Sequence, residues 1–169
     1  MSLTFRPMRP DDWDEVRRIY AAGIATGQAT FETATPAWSE WDAAHLPSPR
    51  LLAVEGDAIR GWAALSPVSR RQVYRGVAEV SLYVAPEAQG RGIGRFLLQE
   101  IIRASEEAGY WTLQVSVFAV NHASLRLHQQ AGFRRVGIRE RIAQRDGRWH
   151  DTVILERRSP VVGNSSGVE

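Results

Sequence analysis

At 169 residues, with 44% hydrophobic and 24% charged side chains, the chain has the length and balance of one ordinary globular domain, which excludes whole-chain disorder, collagen and coiled coil. The absence of cysteine excludes disulfides, thiolate-bound zinc, iron–sulfur clusters and cysteine nucleophiles, and fits a reducing cytosol. A formal charge of +2, from 21 basic and 19 acidic residues, is too small an excess to point to nucleic acid.

The N-terminus, Met1 to Pro7, has no apolar signal core, and no stretch reaches the roughly 18 apolar residues of a membrane span. The expectation is a cytoplasmic protein with no membrane partner. Leu3 to Met8 is a short strand. Pro10 opens a helix with Asp11 and Asp12 in its first turn, where acids suit the helix dipole; Trp13, Val16, Ile19 and Tyr20 form its apolar stripe. Gly23 to Pro36 reads as a loop or broken helix. Trp38 to Leu46 is a second helix, ended by Pro47 and Pro49. Leu51 to Glu55 and Ala58 to Leu65 are strands joined by a Gly56-Asp57 turn. Val77 to Val84 is a strand whose alternation puts Ala78, Val80, Leu82 and Val84 on one face and Glu79, Ser81 and Tyr83 on the other.

Gly92 to Ala108 is the best helix in the chain, with Ile93, Phe96, Leu97, Ile101, Ala104 and Ala108 expected on its buried side and Gly109 stopping it. Thr112 to Phe118 is a strand with Leu113, Val115 and Val117 alternating. Asn121 caps a helix running to about Ala131, which Gly132 ends. Phe133 to Ala143 and Trp149 to Arg157 are strands around an Asp146-Gly147 turn. Strands and helices alternate without an internal repeat, which points to one mixed α/β domain, residues 1–158. Residues 159–169, rich in Gly, Ser, Asn and Pro, read as a flexible tail.

The most informative segment is Gln89-Gly90-Arg91-Gly92-Ile93-Gly94-Arg95, set between a strand and a helix. Glycines let backbone N–H groups approach an anion, the helix N-terminus adds orphan donors and partial positive charge, and Arg91 and Arg95 add more. Together they describe a pyrophosphate cradle; the plainer alternative is a strand-to-helix turn that needs positive φ. A P-loop is excluded because no Lys-Ser/Thr pair follows Gly94. A dinucleotide fingerprint is disfavoured: the third glycine comes one residue early, and the next strand ends in Phe118-Ala119-Val120 without an acid.

Val84 to Arg95, with Asn121, Leu127, His128 and Gly132-Phe133 downstream, resembles the acyl-CoA site of the GNAT superfamily of N-acetyltransferases. The Gln/Arg-x-x-Gly-x-Gly/Ala motif falls on Gln89, Gly92 and Gly94, and the likeness runs from about Phe5 to Leu155. Thr30-Phe31-Glu32, Tyr74-Arg75, Glu79 to Val84, Leu127-His128 and Gly147 to Asp151 are similar to the phosphinothricin and methionine sulfoximine (L-amino acid) acetyltransferase branch. The resemblance implies a GNAT fold, with a central, mostly antiparallel twisted sheet flanked by helices. It implies acetyl-CoA as acyl-donor cosubstrate, a small amino-acid-like amine as acceptor, and a homodimer.

Carried onto this chain, the resemblance makes Glu79 the general base, directly or through a water; on the residues alone it could equally be a solvent-facing strand glutamate. Leu82, Tyr83 and Val84 would pair with the pantetheine arm as an added strand does. Gln89, Gly90, Arg91, Gly92, Ile93, Gly94 and Arg95 would hold the pyrophosphate, and Asn121 the cofactor arm besides capping its helix. His128 stands where many GNAT enzymes have a tyrosine that protonates the thiolate; it is an acid, part of a proton relay, or a packed histidine. Tyr74 and Arg75 would meet an acceptor carboxylate, since a guanidinium forks onto one, and Phe31 and Glu32 would shape the acceptor pocket. His45, His122 and His150 lack metal-ligand spacing, so no metal is expected. The basic run from Arg134 to Arg145 reads as solvated strand faces rather than a nucleic-acid site. The competing functions are a protein or peptide N-acetyltransferase and a non-catalytic acyl-CoA sensor.

Overall fold

The structure is a computed structural model that describes residues 2–164. Seven strands make one sheet in the order β1-β2-β3-β4-β5-β7-β6. They are β1 (Leu3–Pro7), β2 (Arg50–Glu55), β3 (Ala58–Pro67), β4 (Val77–Val84), β5 (Thr112–Phe118), β6 (Arg134–Arg145) and β7 (Arg148–Arg158). Tight turns join two pairs: Gly56 at φ 61° serves β2–β3, and Asp146 and Gly147 at φ 50° and 76° serve β6–β7, the left-handed values that two-residue hairpins need. Every neighbouring pair is antiparallel except β4 and β5, which run parallel. A parallel pair needs a crossover, here supplied by α3 (Ile93–Glu107). The mixed, mostly antiparallel sheet with flanking helices is the expected architecture.

The alternation of β4 decides what each face meets. On one side Leu82 and Val84 approach Gly94 of α3; on the other the Tyr83 ring packs on Gly23 of α1 (Trp13–Ala25). A Cβ on Gly23 would lie 2.4 Å from that ring. This close approach explains why a glycine read as the start of a loop is helical, with α1 continuing to Ala25. α2 (Trp38–Ala44) extends the aromatic layer. Trp41 lies between Trp13, tilted at 5.5 Å, and Trp62, edge-on at 5.5 Å, and Trp62 in turn stacks on Tyr83 at 5.0 Å. This aromatic block, with Leu52, Leu65 and Val16 fully buried beside it, carries the packing from the core to Tyr83.

α3 differs from expectation in two places. Phe96 is 49% exposed and Ala108 is exposed, whereas Leu98, Ile102 and Ser105 are buried with Ile93, Leu97 and Ile101. At 100° per residue Phe96 falls on the opposite side of the helix, and Ala108 lies past its last residue. Of the expected tail, Ser159 to Gly163 forms a turn: the Ser159 N–H donates to Trp111, and the Arg158 guanidinium donates to the Val162 and Gly163 carbonyls. Residues 165–169 lie outside the described residues. Among the described residues no helix is long and apolar enough to cross a membrane.

Candidate active site

The parallel ladder between β4 and β5 has three rungs, Val77↔Thr112, Ala78↔Leu113 and Glu79↔Gln114. Past the third the strands part. Each stays fully paired on its outer side, β4 with β3 and β5 with β7, so only the inner edges, Val80 to Val84 and Val115 to Phe118, lack a strand partner. Backbone groups in such a place need another partner. The opening is a cleft of about 720 Å³, walled by these two edges, by Gln89 to Arg95 without Arg91, by Asn121, Ser124, Leu127 and His128, and by Thr26 and Gln28 to Phe31. The sheet thus gathers most of the expected site at one wedge, with Glu79 at its apex.

At the mouth, Gly90 and Gly92 adopt φ 75° and 78°, which glycine takes without steric cost. Gly92 caps α3 in the left-handed conformation with no side-chain cap bond, so the first-turn N–H groups are free for an anion. Gly94 lies where the cleft narrows: a Cβ there would sit 3.5 Å from Val84 and 3.7 Å from Leu127. Arg95 is exposed on the wall. Arg91 departs from expectation. Its guanidinium grips Glu55 of β2 at 2.7 Å instead of facing the cradle. Those hydrogen bonds from Arg91, helped by Arg60, hold the Glu55 carboxyl at about 2.

Asn121 caps α4 (His122–Gln130) by accepting from the Ser124 N–H. Its Nδ2 donates to the Gln28 carbonyl at 3.3 Å. Arg145, buried at the tip of the β6–β7 hairpin, donates to the Thr30 carbonyl at 3.0 Å. Phe31 packs on Phe118 at 4.6 Å. Three tethers therefore strap the loop after α1 across the wedge. Arg145→Met is expected to loosen the strap, raising amide exchange at residues 28–31 about ten- to a hundredfold, the scale of one charge-assisted hydrogen bond. Exchange in β2 and β3 stays unchanged; hydrogen–deuterium exchange mass spectrometry checks this.

His128 is 4% exposed and lies on the cleft wall. Its Nδ1 is 2.8 Å from the Ser124 carbonyl, so Nδ1 carries the proton and Nε2 is a lone pair. Nε2 is buried without a partner. Burial holds the imidazole below its ordinary value, and the same cause acts on His45. With the proton on Nδ1, Nε2 can accept a proton but has none to donate. Unfolded, both histidines return to about 6.5. Below that value the unfolded chain binds more protons, so stability present above pH 6.5 is lost as the pH falls. The melting temperature is expected to fall between about pH 7 and pH 5, and His128→Gln to flatten part of that fall, as read by thermal denaturation.

Glu79 is half-buried on the cleft wall and accepts from Gln114 Nε2 at 3.3 Å. Glu32 lies off the wall, with its charge near Tyr20 and Tyr83, whose phenols are raised first by burial. Tyr74 and Arg75 are not on the cleft wall either. Tyr74 lines a second hollow of about 560 Å³ with Val73, Trp111 and Gln114, and Arg75 stacks over Trp111 at 5.4 Å. The short helical turn Gln72–Tyr74 carries the pair away from the wedge. Because Gln114 borders that hollow and also bonds Glu79, the hollow adjoins the apex.

Residues 13–133 match the acetyltransferase (GNAT) family. The chain belongs to the GNAT acetyltransferase family. The GNAT match takes in the cradle, α4, the strap and every cleft residue except Thr152. The chain is 35% identical over 163 residues to a phosphinothricin N-acetyltransferase of Alcaligenes faecalis, covering 92% of this chain and 82% of that one. It is 30% identical over 108 residues to an L-methionine sulfoximine/L-methionine sulfone acetyltransferase of Salmonella typhimurium, 64% of this chain and 63% of that one. A GNAT phosphinothricin acetyltransferase from Sinorhizobium meliloti, solved in complex with AcCoA, superposes with a TM-score of 0.87 at 27% identity, covering 100% of this chain and 95% of that one.

Sequence reasoning missed Gln28, Gln114, Ser116 and Arg145, and it named Thr30 without its bond to Arg145. Gln114 and Ser116 carry a usable signal, since they alternate with Leu113, Val115 and Val117 as Glu79 and Ser81 do with Val80 and Leu82. Gln28 and Arg145 carry none, because their contacts run through the backbone carbonyls of Gln28 and Thr30 and through a hairpin tip. Among the described residues no three His, Asp or Glu side chains gather as metal ligands.

Proposed function

We propose that this GNAT enzyme transfers an acetyl group from acetyl-CoA directly to the amine of a small amino-acid-like substrate of the phosphinothricin, methionine sulfoximine or methionine sulfone type. The observation that carries the reading is the position of Glu79 at the apex of an unpaired-edge wedge whose mouth is a glycine cradle. The named relatives support the acceptor class. The residues present fit acetyl-CoA: positive-φ glycines and free helix donors suit a diphosphate, and the unpaired edges suit an amide-bearing arm. Bound, acetyl-CoA supplies an activated acetyl thioester.

The chain does the rest. Ile93, Gly94 and Arg95 offer first-turn N–H groups to anionic oxygens, and the Arg95 side chain adds charge. The backbone of Leu82, Tyr83 and Val84 aligns an extended partner and can polarise a carbonyl. Glu79 removes the ammonium proton that blocks nucleophilic attack. His128 Nε2 would take the second proton, shed by the attacking nitrogen as the amide forms, and pass it to the sulfur that the acetyl group leaves, while its Nδ1–H stays anchored on Ser124. Phe31 and the tethered strap close the acceptor side, and Tyr74 borders it from the adjoining hollow, with Arg75 over that hollow's Trp111.

Assays of CoA release with phosphinothricin, methionine sulfoximine, methionine sulfone and a peptide N-terminus test the reading. Turnover on the free amino acids with intersecting initial-rate lines is expected. Parallel lines would mark an acetyl-enzyme, turnover on the peptide alone a protein acetyltransferase, and binding without turnover a sensor. The homodimer belongs to the same reading. Ile138, Ile142 and Trp149, at the outer end of the sheet, are 52%, 50% and 58% exposed, an apolar surface that a second copy would cover. Sedimentation is expected to give twice the chain mass, and a monomer at assay concentration would remove this part.

A further inference from the structure

The last rung of the β4–β5 ladder pairs Glu79 with Gln114. Their side chains leave the same face, and Gln114 Nε2 donates to Glu79 Oε2 at 3.3 Å. Among the described residues this is the only hydrogen bond to the Glu79 carboxylate, and no arginine or histidine pairs with it. A glutamate on three rotatable bonds at the end of a parting ladder has no other anchor. The opposite amide orientation would set two oxygens against each other, so the donor end faces the carboxylate.

We infer that Gln114 is a positioning residue that holds one oxygen of the Glu79 carboxylate at the apex of the wedge and leaves the other oxygen to the acceptor amine. The inference rests on the reading of Glu79 as general base. An amide suits this place for a chemical reason. An arginine or lysine would pair with the carboxylate and weaken it as a base, whereas an apolar side chain would leave it free to swing. A neutral donor orients without neutralising, and a fixed base is worth more to the transition state than a wandering one. Gln114 also borders the hollow that holds Tyr74 and Trp111, so the residue that orients the base also divides the cleft from that hollow.

The experiment is a double-mutant cycle on acetyl transfer with the best amine of the panel, comparing wild type, Gln114→Met, Glu79→Gln and the double variant. Methionine keeps the length of glutamine and removes the donor. Melting temperature and acetyl-CoA affinity serve as folding controls, with Gln114→Leu as a second variant if methionine packs badly. Gln114→Met is expected to lower kcat about tenfold, the loss that one hydrogen bond to a charged group carries, with the acetyl-CoA KM within about twofold. In the Glu79→Gln background the same change is expected to have no effect, since there is no base left to orient. An equal loss in both backgrounds, or no loss in either, overturns the positioning role while leaving Glu79 as base. A Glu79→Gln single variant with the wild-type rate overturns the base reading, and the role of Gln114 with it.

Discussion

Glu79→Gln is expected to lower kcat by about 10²- to 10³-fold, the range that general-base catalysis contributes, while the acetyl-CoA KM stays within about twofold. The amide is nearly isosteric and still meets Gln114, but it cannot take a proton. An amino-acid ammonium must lose one before its nitrogen attacks. Glu79 lies at the apex of the cleft and the glycine cradle at its mouth, so removing the charge spares the cofactor's contacts. The split between kcat and KM is the readout. A rise in acetyl-CoA KM with kcat intact would assign Glu79 to cofactor binding.

Gly94→Val is expected to raise the acetyl-CoA KM by about a hundredfold, roughly 2.8 kcal/mol at 1.4 kcal/mol per decade, with little change in melting temperature. A Cβ on Gly94 meets Val84 at 3.5 Å and Leu127 at 3.7 Å, both ordinary contacts, so the fold tolerates it and Gly94→Ala is mild. The two γ carbons of valine have nowhere to go but the narrow part of the cleft. Gly92 gives a contrast: at φ 78° any other residue strains the backbone, and Gly92→Ala lowers the melting temperature as well as affinity. Titration calorimetry with acetyl-CoA, paired with thermal denaturation, separates the two effects.

Local pattern made much of this legible in the sequence. The alternation of Val77 to Val84 sent Glu79 and Tyr83 to one face, and the structure places them there because β4 is central and both its faces are covered. The glycines between β4 and α3 announced a cradle because their conformation is dictated locally. Three features were hidden for one reason: they depend on contacts between distant segments. Nothing near Arg91 in sequence reveals that Glu55 holds its guanidinium. Nothing near Thr30 reveals the reach of Arg145. Tyr74 and Arg75 come only a few residues before Glu79, yet a short helical turn sets Tyr74 in the adjoining hollow and Arg75 over the Trp111 ring.

A crystal structure of the protein with CoA and methionine sulfone tests the central claim most directly. The account predicts CoA lying between the inner edges of β4 and β5, and the amine nitrogen within about 2.6–3.2 Å of the Glu79 carboxylate or one water from it. An amine bound away from the apex, with Glu79 facing bulk solvent, would contradict it.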